Sequence, residues 1–240
     1  MSAQDISASS LAQQRFNAVN TRLHNAVAHS QREPDSVKLL AVSKMQTPQQ
    51  IAELYDLGQR AFGENYLQQA LEKQQALPSL DIEWHFIGPI QSNKTRDIAH
   101  HFAWVHSVDR EKVAKRLSDQ RPSNLPPLQV CIQVNVSGEE SKSGVTPEAL
   151  PTLAASVADL PGLQLRGLMA LPAPTSDVSA QHLSFKRLRE LMTQLNERLP
   201  NIELDTLSMG MSGDMEAAID EGATIVRVGT ALFGPRSPIT

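Results

Sequence analysis

Short apolar runs alternate with helical stretches along most of this chain. The runs are KLLAVS (38–43), RAFGE (60–64), WHFIG (84–88), WVHSV (104–108), LQVCIQVNV (128–136), LQLRGLMAL (163–171), LDTLSMG (204–210) and TIVRVGT (224–230). Seven segments between them carry helical spacing. The best marked opens at Thr47-Pro48-Gln49-Gln50. Thr47 suits an N-cap, Pro48 the first helical position, and Gln50 completes a capping box. Thr146-Pro147 makes a similar start, and the segment 181–199 puts Leu188, Leu191, Met192 and Leu195 on one face. Ahead of the first run, residues 5–31 read as a polar, Ala-rich helix with Leu11, Phe16, Val19, Leu23 and Val27 at helical spacing.

Strands that alternate with helices imply parallel βαβ units. Eight such units in roughly 250 residues are the pattern of a TIM (β/α)8 barrel, here preceded by an N-terminal helix. The expected organisation is a single barrel domain over residues 1–240. The second and fourth runs are weak strands, which keeps an open, doubly wound sheet as the alternative.

In a barrel the chemistry sits where strands end. Lys44 ends the first run and shares parity with Leu40 and Val42, so the three face one way. A lysine amine at a barrel mouth is a nucleophile able to form a Schiff base; the plainer reading is a solvated lysine at a strand terminus. In TIVRVGT, Val226 and Val228 share one face and Arg227 takes the other, toward the barrel interior. A buried guanidinium keeps its proton and needs an acceptor, either a structural ion-pair partner or a ligand. At the end of the seventh run and just beyond it, the small residues Ser208, Gly210, Ser212 and Gly213 lead into a helix with Met215, Ala218 and Ile219 on one face. The eighth run ends in Gly229-Thr230. Backbone N–H groups at such places bind phosphate, and barrels often hold one between the last two loops. Asn65 closes the second run, and His85 lies in the third, where a satisfied core histidine is the plainer reading. Lys142 sits in the charged, Gly-flanked loop GEESKSGVTP, either solvated or able to swing over the mouth.

Composition narrows the function. The chain has 240 residues, 40% hydrophobic and 20% charged, with net charge −4 and a pI near 6.0. That is not the basic footprint of a nucleic-acid binder. No apolar run is long enough to span a bilayer, and the N-terminus lacks the features of a signal peptide, so a cytoplasmic address is expected. A single cysteine, Cys131, excludes an intrachain disulfide and a cysteine-cluster metal site.

A lysine, an arginine and a phosphate cradle at one mouth fit a cofactor with an aldehyde, a ring nitrogen and a phosphate: pyridoxal 5′-phosphate. The motifs go further. AVSK (41–44), FGENY (62–66), EWHFIGPIQSNK (83–94), SKSG (141–144), RGLMA (166–170), SMGMSGDMEAAI (208–219) and VRVGTALFG (226–234) resemble the pyridoxal-phosphate homeostasis proteins, related in fold to the barrel domain of alanine racemase. The resemblance implies that Lys44 holds the cofactor as a Schiff base. It implies Ser212, Gly229 and Thr230 as phosphate ligands, Arg227 as partner of the pyridine nitrogen, and Asn65 as a neighbour of the ring. His85 and Met211 are further carry-overs.

An arginine beside the ring nitrogen disfavours its protonation and makes the cofactor a weak electron sink. The tyrosines are Tyr55, inside a helix, and Tyr66, beside Asn65. Tyr66 is a possible second base, though an aromatic at a helix start more simply packs. The expected function is therefore a carrier that stores the cofactor and passes it transiently to apo-enzymes, with little or no turnover. With no obvious dimerisation domain, a monomer is expected. A weak amino-acid racemase and a cofactor-free Schiff-base aldolase are the rivals.

Overall fold

Each apolar run becomes a strand. β1 (Lys38–Val42), β2 (Ala61–Glu64), β3 (Glu83–Phe86), β4 (Trp104–Val108), β5 (Leu128–Gln133), β6 (Leu163–Met169), β7 (Thr206–Ser208) and β8 (Ile225–Val228) pair in chain order. Every pairing is parallel, and β8 returns to β1 to close the ring. The open sheet is thereby excluded. The computed structural model describes residues 3–138, 143–199 and 201–235, with side chains from residue 11 onward.

Parallel neighbours need crossovers, and helices supply them: α2 (Pro48–Asp56), α3 (Leu67–Ala76), α4 (Thr95–His101), α5 (Glu111–Asp119), α6 (Leu150–Ala158), α7 (Val178–Arg198) and α8 (Met215–Asp220). Outside this repeat lie α1 (Ala3–His29), ahead of the barrel, and the short α9 (Thr230–Phe233). The capping box of α2 forms as expected. Thr47 Oγ1 accepts from the Gln50 backbone at 3.3 Å, and Gln50 Oε1 accepts from the Thr47 backbone at 2.9 Å. The helix expected from Thr146 begins later, at Leu150, after a turn over 147–149.

Strands are shorter than the apolar runs. β5 stops at Gln133, and the run's continuation makes only an isolated bridge, Val134 with Val145. β7 keeps three residues. A barrel strand is buried on both faces, so apolar character outlasts the hydrogen-bonded ladder. The run ending in Thr230 is likewise cut: Thr230 starts α9.

The core has two parts. The larger packs outward-facing strand residues such as Phe62, Val130, Leu168, Val226 and Val228 against the helices. Inside the ring, apolar packing is confined to two small groups. One is Leu40, Ala61, Ile87 and Ile225 with Val42; the other is Trp104, Cys131 and Met169. Buried polar side chains share that interior: His85, His106, Ser208 and Arg227. Among the described residues no helix is long and apolar enough to cross a membrane, and no cluster of His, Cys, Asp or Glu could hold a metal ion.

Candidate functional site

β1 sends Leu40 and Val42 into the barrel interior, and Lys44 follows two residues beyond the strand's last member. The Lys44 side chain is half-buried, and its amine has no hydrogen bond or ion pair among the described residues. The next residue, Met45, has φ 65°. A left-handed backbone is uncommon for a residue with a side chain and tends to mark functional turns.

The register pairs Val42 with Gly63, so Lys44 and Asn65 lie at matching levels on neighbouring strands. Asn65 Oδ1 is buried and unpartnered. A buried acceptor without a donor is costly, which marks this as a place for a ligand or a water. The Asn65 backbone is fixed by a close approach: a Cβ on Gly88 would stand 2.1 Å from the Asn65 carbonyl oxygen. Gly88→Ala should therefore destabilise the protein by about 3 kcal/mol, the upper part of the overpacking range. Urea unfolding measures the loss.

Beneath these two strand ends sits a group that sequence reading missed. Lys73 of α3 donates to Glu64 Oε1 at 2.7 Å and to the Ser43 carbonyl at 2.8 Å, and the Ser43 hydroxyl donates to the same Glu64 oxygen at 2.6 Å. All three are buried. They tie the residue before Lys44 to the residue before Asn65. A glutamate inside a short buried strand was the available signal; its partner nine positions later, on a helix, was not.

Arg227 lies inside the barrel and is 4% exposed. Its Nη1 donates to Ser208 Oγ at 2.8 Å and its Nη2 to the Ala170 carbonyl at 2.9 Å. It forms no ion pair among the described residues. Burial pushes its pKa down to about 10. The ion-pair alternative therefore gives way to a cation held by neutral acceptors. The β1–β8 register sets Leu40 level with Arg227, so Lys44 lies further toward the mouth than the guanidinium.

The two loops beside Arg227 offer backbone donors. The N–H groups of Ser212, Gly213, Gly229 and Thr230 have no acceptor among the described residues. The Met211 N–H is taken, donating to Asp214 Oδ1 at 2.6 Å. The first loop is braced from outside. Arg22 of α1 donates to the Ser212 carbonyl at 2.8 Å and pairs with Glu216 at 2.5 Å, which holds that carboxyl below its usual range. Arg15 of the same helix donates to the Phe233 carbonyl at 3.1 Å. This bracing was also absent from the sequence reading, since α1 stands outside the repeat.

His85 is fully buried, with Nε2 bonded to Glu83 and Nδ1 to His106, each at 2.8 Å. Both ring nitrogens are thus engaged by protein, and His85 has none free for a ligand. Tyr66 is exposed at the start of α3, and the Tyr55 hydroxyl accepts from the Asp81 N–H at 3.3 Å. Lys142 lies outside the described residues.

The chain has close relatives among known proteins. Residues 17–237 match the family model described as alanine racemase, N-terminal domain. The pyridoxal phosphate homeostasis protein of Pseudomonas aeruginosa is 62% identical over 218 residues, spanning 91% of this chain and 93% of that protein. The protein of the same name from Escherichia coli is 51% identical over 221 residues, spanning 91% and 94%. This chain thus belongs to the alanine racemase N-terminal domain family and, within it, to the pyridoxal phosphate homeostasis proteins. Among solved structures, PipY of Synechococcus elongatus with pyridoxal phosphate bound superposes with a TM-score of 0.79 at 37% identity, covering 88% of this chain and all of that one. The alanine racemase of Corynebacterium glutamicum, at 16% identity and a TM-score of 0.71, covers 95% of this chain and 64% of its own; that likeness shows the fold alone.

Proposed function

We propose that residues 1–240 act as a single pyridoxal phosphate-binding domain that captures the cofactor on Lys44, stores it and releases it to apo-enzymes. The observation that carries this reading is a Lys44 amine unpaired among the described residues, set at a mouth shared with an arginine that has no carboxylate partner among them. Pyridoxal phosphate supplies an aldehyde that a lysine amine captures reversibly as a Schiff base, with loss of water.

The residues fit such a group. The unpartnered N–H groups of Ser212, Gly213, Gly229 and Thr230, with the Thr230 hydroxyl, would take the phosphate. Arg227 retains donors for the ring nitrogen, since two of its five N–H groups are engaged by Ser208 and Ala170. Asn65 Oδ1 would accept a donor from the ring's substituents. Met211 contributes through side-chain contact, its N–H being occupied. His85 acts from below.

Arg227 also bears on turnover. A fixed cation beside the ring nitrogen keeps a second proton off it, which weakens the site for carbanion chemistry. That favours storage over catalysis, with the protein working as a monomer in the cytoplasm. The exposure of Tyr66 beside Asn65 favours one rival, a weak racemase. In that case Tyr66→Phe would abolish alanine racemisation by the loaded protein.

The deciding experiment adds pyridoxal phosphate to the purified protein. A visible absorption band should appear, borohydride should remove it, and mass spectrometry should place the reduced label on Lys44. No band, or a label on another lysine, overturns the reading.

A further inference from the structure

One continuous set of polar groups passes through the barrel and ends on Arg227, and the members below the arginine have no part in the site as described so far. At its lower end, Lys38 Nζ donates to Glu83 Oε1 at 2.6 Å, both side chains being partly exposed. Glu83 Oε1 meets His85 Nε2 at 2.8 Å, His85 Nδ1 meets His106 Nε2 at 2.8 Å, and His106 Nδ1 meets Ser208 Oγ at 2.7 Å. Ser208 Oγ then accepts from Arg227 Nη1 at 2.8 Å. The groups come from five strands, β1, β3, β4, β7 and β8. The His85 ring stacks on Trp104 at 5.5 Å with planes 4° apart, which fixes its orientation.

The chemistry allows one ordering of the protons. The Glu83 carboxyl is held down to about 2, mainly by its bond to His85, so it is ionised and only accepts. His85 Nε2 must therefore carry a proton. Burial lowers the pKa of both imidazoles, which keeps them neutral. A neutral His85 then accepts at Nδ1, so His106 donates from Nε2 and accepts at Nδ1. The Ser208 hydroxyl donates to that nitrogen, which turns its lone pairs toward Arg227. Arginine can only donate. Every link from Arg227 down to Glu83 points the same way, and aligned hydrogen bonds strengthen one another.

We propose that Glu83, His85, His106 and Ser208 are positioning residues: a one-way hydrogen-bonded chain that orients the Arg227 guanidinium and so tunes the affinity of the cofactor site. The chain supplies what the site lacks. Among the described residues Arg227 has no carboxylate in contact, yet it is joined through three neutral side chains to an ionised one at the opposite end of the barrel. The proposal rests on the reading of Arg227 as partner of the cofactor ring.

Two measurements test it. The first needs no cofactor. Histidine ¹⁵N NMR of the wild-type protein at pH 7 should show His85 and His106 both neutral and both protonated on Nε2; a cationic ring, or a proton on either Nδ1, overturns the chain. The second compares Ser208→Ala, Glu83→Gln and the double variant by titration with pyridoxal phosphate. Each single change should weaken binding about five- to ten-fold and move the visible band. The double variant should be no worse than the poorer single, because a chain cut once is already cut. Wild-type affinity and spectrum in both singles, or losses that multiply in the double, would sink the proposal. Wild-type protein that failed to take up the cofactor would instead sink the reading of the site, and the NMR result would still decide the proton order.

Discussion

A Lys44→Ala variant will bind pyridoxal phosphate at least about 100-fold more weakly than the parent chain, about 2.8 kcal/mol, and will carry no borohydride-fixed label. Its stability should hardly change. The Lys44 amine touches no partner among the described residues, and such partly exposed side chains usually alter folding by less than about 0.5 kcal/mol. Residual binding should survive, because the loop N–H groups and Arg227 are untouched. Absorption titration reads the covalent part, equilibrium dialysis the residual part, and urea unfolding the stability. A variant that kept a reducible band would show that another lysine does the capturing. A variant that unfolded would show that Lys44 has a structural partner.

Lys73→Met will produce the second large effect, on folding first and on binding through it. Its ammonium and the Glu64 carboxylate are 6% and 0% exposed at their side chains. Removing one member of such a pair leaves the other buried without compensation, which typically costs about 3–5 kcal/mol. For a chain of this size that lowers Tm by roughly 6–20 °C. Glu64 is already short of partners, its Oε2 being unsatisfied, so little is available to absorb the loss. Lys73→Met combined with Glu64→Gln should recover part of the stability, since the stranded charge is gone. If the single variant melts with the parent, the pair contributes nothing and the strand ends are held by other means. At temperatures where it stays folded, its affinity for pyridoxal phosphate should also fall, because the Ser43 carbonyl next to Lys44 has lost its anchor.

How much of this could be read from sequence depended on the direction of the interaction. Contacts that follow the strand period were legible. Parity showed that Leu40, Val42 and Lys44 face one way, and that of Val226, Arg227 and Val228 placed a guanidinium on the inner side of the ring, where the structure puts Arg227 with the valines outside. Even the weak second and fourth runs became strands. Gly63 and His106 lie within the barrel, where a polar interior tolerates them, while Glu64 and Ser107 face the helix layer and are held there by Lys73 and the Gly88 carbonyl. Strand ends were less legible, as with β5 and β7, because burial on both faces removes the polar boundary that marks a half-exposed strand. Interactions across the interior were not legible at all. His106 and Ser208 are 102 positions apart and belong to strands that are not neighbours in the sheet. No local spacing rule connects them; the closure of the ring does. The Glu64–Lys73 pair fails for a similar reason, since it joins a strand to a helix rather than two positions on one face.

The brace from α1 sets an order on events during synthesis. Arg22 grips the Ser212 carbonyl across 190 positions of chain, and β1 must wait for β8 before the ring can shut. The helix therefore emerges early from the ribosome with its docking surface still untranslated. Contacts this distant along the chain form slowly, so the loop that carries Ser212 should be among the last parts to settle. A nascent or truncated chain that stops short of α8 would lack β8 as well, so its ring would stand open beside β1 and the proposed site would be missing Arg227, Gly229 and Thr230.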